Sequence, residues 1–261
     1  MTERSGGSAT APSPKWFEEW FNHPFYLAVY SHRDRQEAAE CIQTIISLTG
    51  INPLDSPAVS ALDIACGAGR HALELARLGC VVTANDLAPF LLEKAEKDAN
   101  ASGLKLKLTC RDMRAVHDRE CFDLVVQLFT SFGYFDTKED DRLVLRNVHA
   151  ALKQGGWYAL DLINPDHLRK NLVARSSRTS GDLTVQEERK LEGERVSKSI
   201  TISSPSGEQA TFTESVRIYG KDEITGILSE AGFTVKAFAG SYTGEPFTAA
   251  SPRMMLICRK S

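Results

Sequence analysis

No run in the chain comes near the roughly 18 consecutive apolar residues that a membrane-crossing helix needs, so no membrane span is expected. The N-terminal MTERSGGSATAPSPK lacks the apolar centre of a secretory leader, and residues 1–15 read as a disordered tail. Excess basic charge is missing too. Lys and Arg number 31 against 34 Asp and Glu, for a net charge of −3. That balance disfavours a broad basic face, and no nucleic-acid partner is expected. The six cysteines, Cys41, Cys66, Cys80, Cys110, Cys121 and Cys258, form no C-x-x-C pair, and several lie in apolar runs. Clustered Cys and His at ligand spacing are absent, so neither a zinc site nor a disulfide framework is expected. Reduced thiols in a cytoplasmic protein fit instead.

What the chain has is alternation. Ala61–Cys66 is a short apolar run, and His71–Leu78 follows in helical spacing. Val81–Asn85, Lys105–Cys110, Phe122–Leu128 and Trp157–Ile163 repeat the strand pattern. Pro89–Ala101 and Glu139–Leu152 supply helices between them. The first has proline in its opening turn, and the second is expected to end at Gly155-Gly156. Such alternation predicts an α/β fold, a mostly parallel sheet with helices on both faces.

Two segments depart from it. Residues 16–60 read as an N-terminal helical lid: WFEEWFNHPFYLAVY is aromatic, and Ala38, Ile42, Ile45 and Ile46 recur at helical spacing. Residues 184–219 change to a period of two, with Val196, Ile200 and Ile202, then Ala210, Phe212, Val216 and Ile218. Turns fit at Glu192-Gly193 and Ser204–Gly207. This is a small antiparallel β insert within a core of 61–183 and 220–261. Its apolar face needs a cover, which a homodimer is one way to supply. Ile224, Ile227 and Leu228 mark a last helix. Phe233–Ala239 and Met254–Arg259 close the chain as a hairpin.

The stretch LDIACGAGRHALELARLG carries the chemistry. Gly67-x-Gly69 lets a backbone turn tightly and approach a ligand beneath a helix start. Asp86, at the end of the next strand, suits a pair of ribose hydroxyls. Both features serve NAD(P) as well as S-adenosylmethionine. Asp63 does discriminate. A carboxylate inside the first strand is unwelcome beside a pyrophosphate but suits a ligand bearing an ammonium. Asp112-Met113, ending the third strand, offers an acceptor for an adenine amino group and a thioether for its ring.

In this order of motifs, ending in FDLVVQLFTSFGYF, the chain resembles the class I S-adenosylmethionine-dependent methyltransferases from about Ala61 to Arg259. The resemblance implies a Rossmann-like seven-stranded, mostly parallel sheet with its last strand antiparallel. It implies S-adenosylmethionine as cofactor and S-adenosylhomocysteine as product. Within that family the lid and insert are similar to glycine and sugar-amine N-methyltransferases. This implies a small-molecule acceptor, with N-methylation placed ahead of O-methylation. An NAD(P)-dependent oxidoreductase and a methyltransferase-like binding protein without turnover are the competing readings.

The resemblance assigns the cofactor to Arg33, Asp63, Ala65, Gly67, Gly69, Asp86, Leu87, Asp112, Met113 and Gln127, with Arg33 on its carboxylate. Ligands of open α/β sheets lie at the C-terminal strand ends. That rule places the acceptor at Thr130, Ser131, Phe132 and Asn164, beneath Tyr26 and Tyr30 of the lid. Tyr134, His32 and Asp161 are the candidates to orient or deprotonate it. Gln127-Leu-Phe-Thr130 stands where nucleobase amino methyltransferases carry Asp/Asn-Pro-Pro-Tyr, which argues against DNA bases.

Overall fold

The computed structural model describes residues 15–30, 35–55 and 57–261. In chain order these form α1 (Trp16–Trp20), α2 (Phe25–Val29), α3 (Arg35–Thr49), β1 (Ser60–Ile64), α4 (Arg70–Arg77), β2 (Val81–Asp86), α5 (Pro89–Ala101), β3 (Leu106–Cys110), a 3-10 turn (Met113–Ala115), β4 (Phe122–Gln127), α6 (Lys138–Ala151), β5 (Leu152–Ile163) and α7 (Pro165–Asn171). Then come β6 (Arg175–Ser180), β7 (Leu183–Glu192), β8 (Arg195–Ser203), β9 (Gln209–Arg217), α8 (Lys221–Glu230), β10 (Phe233–Ala239) and β11 (Arg253–Lys260). None of the described helices is long and apolar enough to cross a membrane.

The main sheet has seven strands in the order β10-β11-β5-β4-β1-β2-β3. β11 runs antiparallel to both its neighbours, while β1, β2, β3, β4 and β5 pair in parallel. This is the expected Rossmann-like sheet. Alternate residues of each strand feed opposite faces. Leu62, Ile64, Val125 and Leu160 join Val144, Val148, Ile224 and Leu228 of α6 and α8. Ala61, Leu124, Val126 and Ala159 join Ile42, Ile45, Leu75 and Leu92 of α3, α4 and α5. Thus α3 is one of the covering helices of the sheet, and among the described residues of 16–60 it is α1 and α2 that stand over the strand ends. Pro89 opens α5 as expected, and Thr137 caps α6 by accepting from the Asp140 amide at 3.1 Å.

Gly155-Gly156 does not end α6. The helix stops at Ala151, and β5 runs on from Leu152. The glycines instead lie at a bulge, where partners of β4 jump from Leu152 to Trp157 and Gly155 takes φ +71°.

The insert is a four-stranded antiparallel sheet, β6-β7-β8-β9. It begins at Arg175, ahead of the period-two segment, because β6 is RSSRTS and carries no apolar residue to betray it. Its inner face buries Val185, Ile200, Ile202 and Phe212. α1 and α2 dock on it. Trp20, fully buried, lies 4.5 Å from Phe212 between ring centroids. Ser180 Oγ and Arg178 Nη2 donate to the carbonyls of Ala28 and Val29 at 2.6 and 2.5 Å. The insert thereby holds the lid over the C-terminal ends of the sheet.

Candidate active site

The loop after β1 is built from left-handed backbone. Ala65, Gly67 and Gly69 take φ of 54°, 56° and 78°. Gly69 is required twice over: beyond its φ, a Cβ there would sit 2.8 Å from Ala95 Cβ, where α4 meets α5. Gly67 faces open space, and its amide donates to Asp86 Oδ2 at 2.7 Å. Asp86 Oδ1 accepts from the Ala88 amide at 2.9 Å. One carboxylate thus fixes the loop and its own strand end, with lone pairs left over for a ligand. Burial raises its pKa, opposed by the amides of Ala88, Gly67 and Leu87.

Asp63 lies on β1 beneath that loop, almost fully buried. Its Oδ2 has no partner among the described residues. Burial, then the charge of Asp86, pushes its pKa up to about 8 against the Ala72 amide and Arg70. An unpartnered buried carboxylate is costly unless a cation meets it.

The β4 end is strained as well. Phe129 and Thr130 are both left-handed, at φ 61° and 62°. Asp161 clamps them. Its Oδ2 accepts from the Phe129 amide at 2.9 Å and from Tyr242 OH at 2.7 Å, and its own carbonyl accepts from the Thr130 amide. Arg253 closes the clamp, with Nε 2.9 Å from Asp161 Oδ1 and Nη2 2.7 Å from Oδ2, and reaches Thr130 Oγ1 at 2.7 Å. Strain of this kind gathers at ligand sites.

These strand ends line a cavity of about 280 Å³. Ala65, Gly67, Asp86, Leu87, Asp112 and Met113 form one side, and Thr130, Ser131, Tyr134 and Arg253 the other. Trp16, Phe17, Phe21, Tyr26 and Tyr30 cover it, and Arg189, Val196, Lys198, Glu214 and Val216 of the insert complete it. A second crevice holding Asp63, Arg70 and His71 adjoins it and shares Tyr26, Tyr30, Ala65, Gly67 and Phe129. Ser131 Oγ, buried in the wall, has no partner among the described residues. Orphaned oxygens on Asp63 and Ser131, and a glycine amide loop facing open space, fit a ligand with an ammonium, a ribose and a ring.

Comparison with known proteins agrees. A methyltransferase domain family matches residues 61–156. The cypemycin N-terminal methyltransferase of a Streptomyces species is 28% identical over 224 residues, 80% of this chain and 85% of that protein. The dTDP-4-amino-2,3,4,6-tetradeoxy-D-glucose N,N-dimethyltransferase of Saccharopolyspora spinosa is 26% identical over 231 residues, 84% of this chain and 88% of that one. A crystal structure of an S-adenosylmethionine-dependent methyltransferase from Clostridium acetobutylicum shares the fold with a TM-score of 0.77. It is 19% identical and covers 92% of this chain and 97% of that one. Residues 61–156 form a methyltransferase domain, and with the shared fold they support a class I S-adenosylmethionine-dependent methyltransferase.

In this methyltransferase several residues singled out from the sequence stand at the crevice: Tyr26, Tyr30, Asp63, Ala65, Gly67, Asp86, Leu87, Asp112, Met113, Thr130, Ser131 and Tyr134. Asp112 is not a free acceptor. Arg114 Nη2 meets its Oδ2 at 2.6 Å, and the Arg114 amide meets Oδ1 at 2.8 Å. Burial raises its pKa, but Arg114 outweighs that and leaves it below the ordinary carboxylate range. Gly69 serves the loop by letting helices approach.

Four residues are turned away from the cavity lining. Gln127 is buried, donating to the Ser131 carbonyl at 2.7 Å and accepting from Tyr158 OH at 2.6 Å, so its amide shapes the loop. Phe132 packs in the core against Tyr219. Asn164 caps α7 through the Asp166 amide and holds the Thr248 and Ser251 carbonyls at 3.1 and 2.7 Å. Asp161 has both oxygens bonded within the clamp and is not part of the cavity lining. His32 and Arg33 lie outside the described residues.

Sequence reasoning passed over Arg189, Lys198 and Glu214. A signal was present. Val196-x-Lys198-x-Ile200 and Phe212-x-Glu214-x-Val216 put charges in register with apolar residues that face inward.

Proposed function

We propose that this methyltransferase methylates a small-molecule amine on nitrogen. The observation that carries the reading is the pair of adjoining crevices, in which strand-end carboxylates run on into an aromatic-walled chamber under the lid. The names of two relatives, an N-terminal methyltransferase and an amino-sugar N,N-dimethyltransferase, favour nitrogen.

When bound, S-adenosylmethionine supplies a methyl group on a sulfonium leaving group. The chain's part is to hold and align. In this reading Asp63 takes the cofactor ammonium, Asp86 the ribose hydroxyls, Arg33 the carboxylate, and Met113 and Leu87 the adenine ring. Ser131 and Tyr134 orient the acceptor. An amine attacks only through a free lone pair, so Tyr134 or His32 receives the proton of an acceptor that arrives charged. The rings of Trp16, Phe17 and Phe21 around Tyr134, with centroids 5.0, 6.2 and 5.8 Å away, exclude water. Alignment in such a chamber supplies several kcal/mol of the roughly 7–11 available to well-oriented reactants. Six free thiols support a cytoplasmic setting.

The test is transfer of labelled methyl to matched pairs of small amines and alcohols. Label on the amines is expected. Label confined to the alcohols would refute the nitrogen assignment.

A further inference from the structure

The insert face that closes the cavity is written in rungs across β7, β8 and β9. Leu191–Val196–Val216 is apolar, and Val185–Ile202–Ala210 is apolar. Of the two rungs between them, Glu187–Ile200–Phe212 carries one charge and Arg189–Lys198–Glu214 is charged throughout. Arg189 and Lys198 are register partners on neighbouring strands. Like charges directly opposite destabilise a sheet, and charge on an inward face is costly. Both side chains open into the cavity.

Their protein partners do not use them up. Glu214 accepts from Trp20 Nε1 at 2.8 Å and Tyr30 OH at 2.5 Å on Oε1 and from Lys198 Nζ at 2.7 Å on Oε2, and Lys198 also donates to Tyr30 OH, which leaves one of its three N–H groups. Arg189 divides between Ser176 Oγ at 3.1 Å and Glu187, which is 8% exposed and outside the cavity lining. A guanidinium has five N–H donors, so N–H groups remain for a ligand among the described residues.

We propose that Arg189 and Lys198 receive an anionic group of the methyl acceptor, a carboxylate or phosphate set apart from the atom that is methylated. The proposal rests on the small-molecule reading above. A planar fork beside a point charge suits a group with several anionic oxygens. The acceptor's acidic end then seats on the insert, while its nucleophilic end lies toward Thr130 and Ser131. Acceptors without an acidic group lose this anchor.

Calorimetric titration of the protein saturated with S-adenosylhomocysteine tests this, with pyrophosphate and succinate as probes. Saturable binding of at least one probe is expected. Binding of pyrophosphate alone makes the group a phosphate, and binding of succinate alone makes it a carboxylate. Arg189→Gln and Lys198→Gln should each weaken it by roughly tenfold or more, while S-adenosylhomocysteine affinity stays unchanged. Arg189→Lys keeps the charge without the fork and should fall between, which guards against loss of folding in the other variants. Absence of saturable binding by either probe overturns the proposal. So does binding undiminished in Arg189→Gln, or an equal loss of S-adenosylhomocysteine affinity. The nitrogen assignment fails separately, in the labelled-methyl assay.

Discussion

Arg253 and Asp161 face each other across the junction of β11 and β5, with nitrogen–oxygen distances of 2.9 and 2.7 Å. Asp161 is fully buried, and the pair holds the left-handed Phe129-Thr130 turn in the cavity wall. Breaking a buried pair by neutralising one partner costs about 3–5 kcal/mol. Asp161→Asn should therefore lower unfolding free energy by that order in urea. A general base would behave otherwise: the same substitution would leave stability intact and abolish turnover.

Glu214 ties the lid to the insert through Trp20, Tyr30 and Lys198. Removing its carboxylate takes away the acceptor that these three donors share. Glu214→Ala should raise hydrogen exchange in residues 16–30 while exchange in β1 and β4 stays slow. Unchanged protection of the lid would show that aromatic packing alone holds it.

With Asp63 proposed to take the cofactor ammonium, cofactor binding should carry a pH dependence of definite sign. Its pKa in the folded protein is about 8, raised by burial and by Asp86. A raised acid pKa favours the folded state at low pH and costs stability as pH climbs from the ordinary carboxylate range toward 8. Meeting the cofactor ammonium favours the ionised form, so binding releases a proton. Affinity for S-adenosylhomocysteine should therefore rise by up to about tenfold per pH unit between roughly pH 6 and 7.5. It should level off near 8, where an α-amino group begins to deprotonate. Asp63→Asn should flatten the slope, which calorimetry across that range would detect.

Gly69→Ala is a packing test of the loop. Its new Cβ would press on Ala95 at 2.8 Å in a left-handed conformation. A loss of about 1–3 kcal/mol in stability is expected, together with weaker cofactor binding. Gly67→Ala keeps the left-handed strain of φ +56° but meets open space, so it should cost less stability than Gly69→Ala and more binding, read as the two variants' relative shifts in denaturation midpoint and Kd.

Much of the fold was legible because the buried strands around Ile64, Ala84, Val125 and Leu160 are apolar and the helices between them periodic. β6 was not, since RSSRTS writes no pattern. Gly155-Gly156 misled because paired glycines serve a bulge as readily as a helix end. The placing of Asp63, Gly67 and Asp86 at the crevice follows from local motif and strand order. That of Asp161, Gln127 and Asn164, expected in catalysis, cofactor binding and acceptor binding, does not: they are polar residues near strand ends, as ligand residues are, but their side chains meet Arg253, Tyr158 and the 248–251 turn. Only tertiary contacts reveal that. The insert's Lys198 and Glu214 were visible as breaks in an apolar register, though their partners in the lid were not.

Calorimetric titration of the wild-type protein and Asp86→Ala with S-adenosylhomocysteine, with NAD as control, tests the account most directly. The account predicts saturable binding to the wild type and none of NAD. Asp86→Ala loses charge-assisted hydrogen bonds of about 1.5–3 kcal/mol each, so its affinity should fall at least about tenfold. Saturable NAD binding without S-adenosylhomocysteine binding, or an unchanged Kd in a folded Asp86→Ala protein, would contradict it.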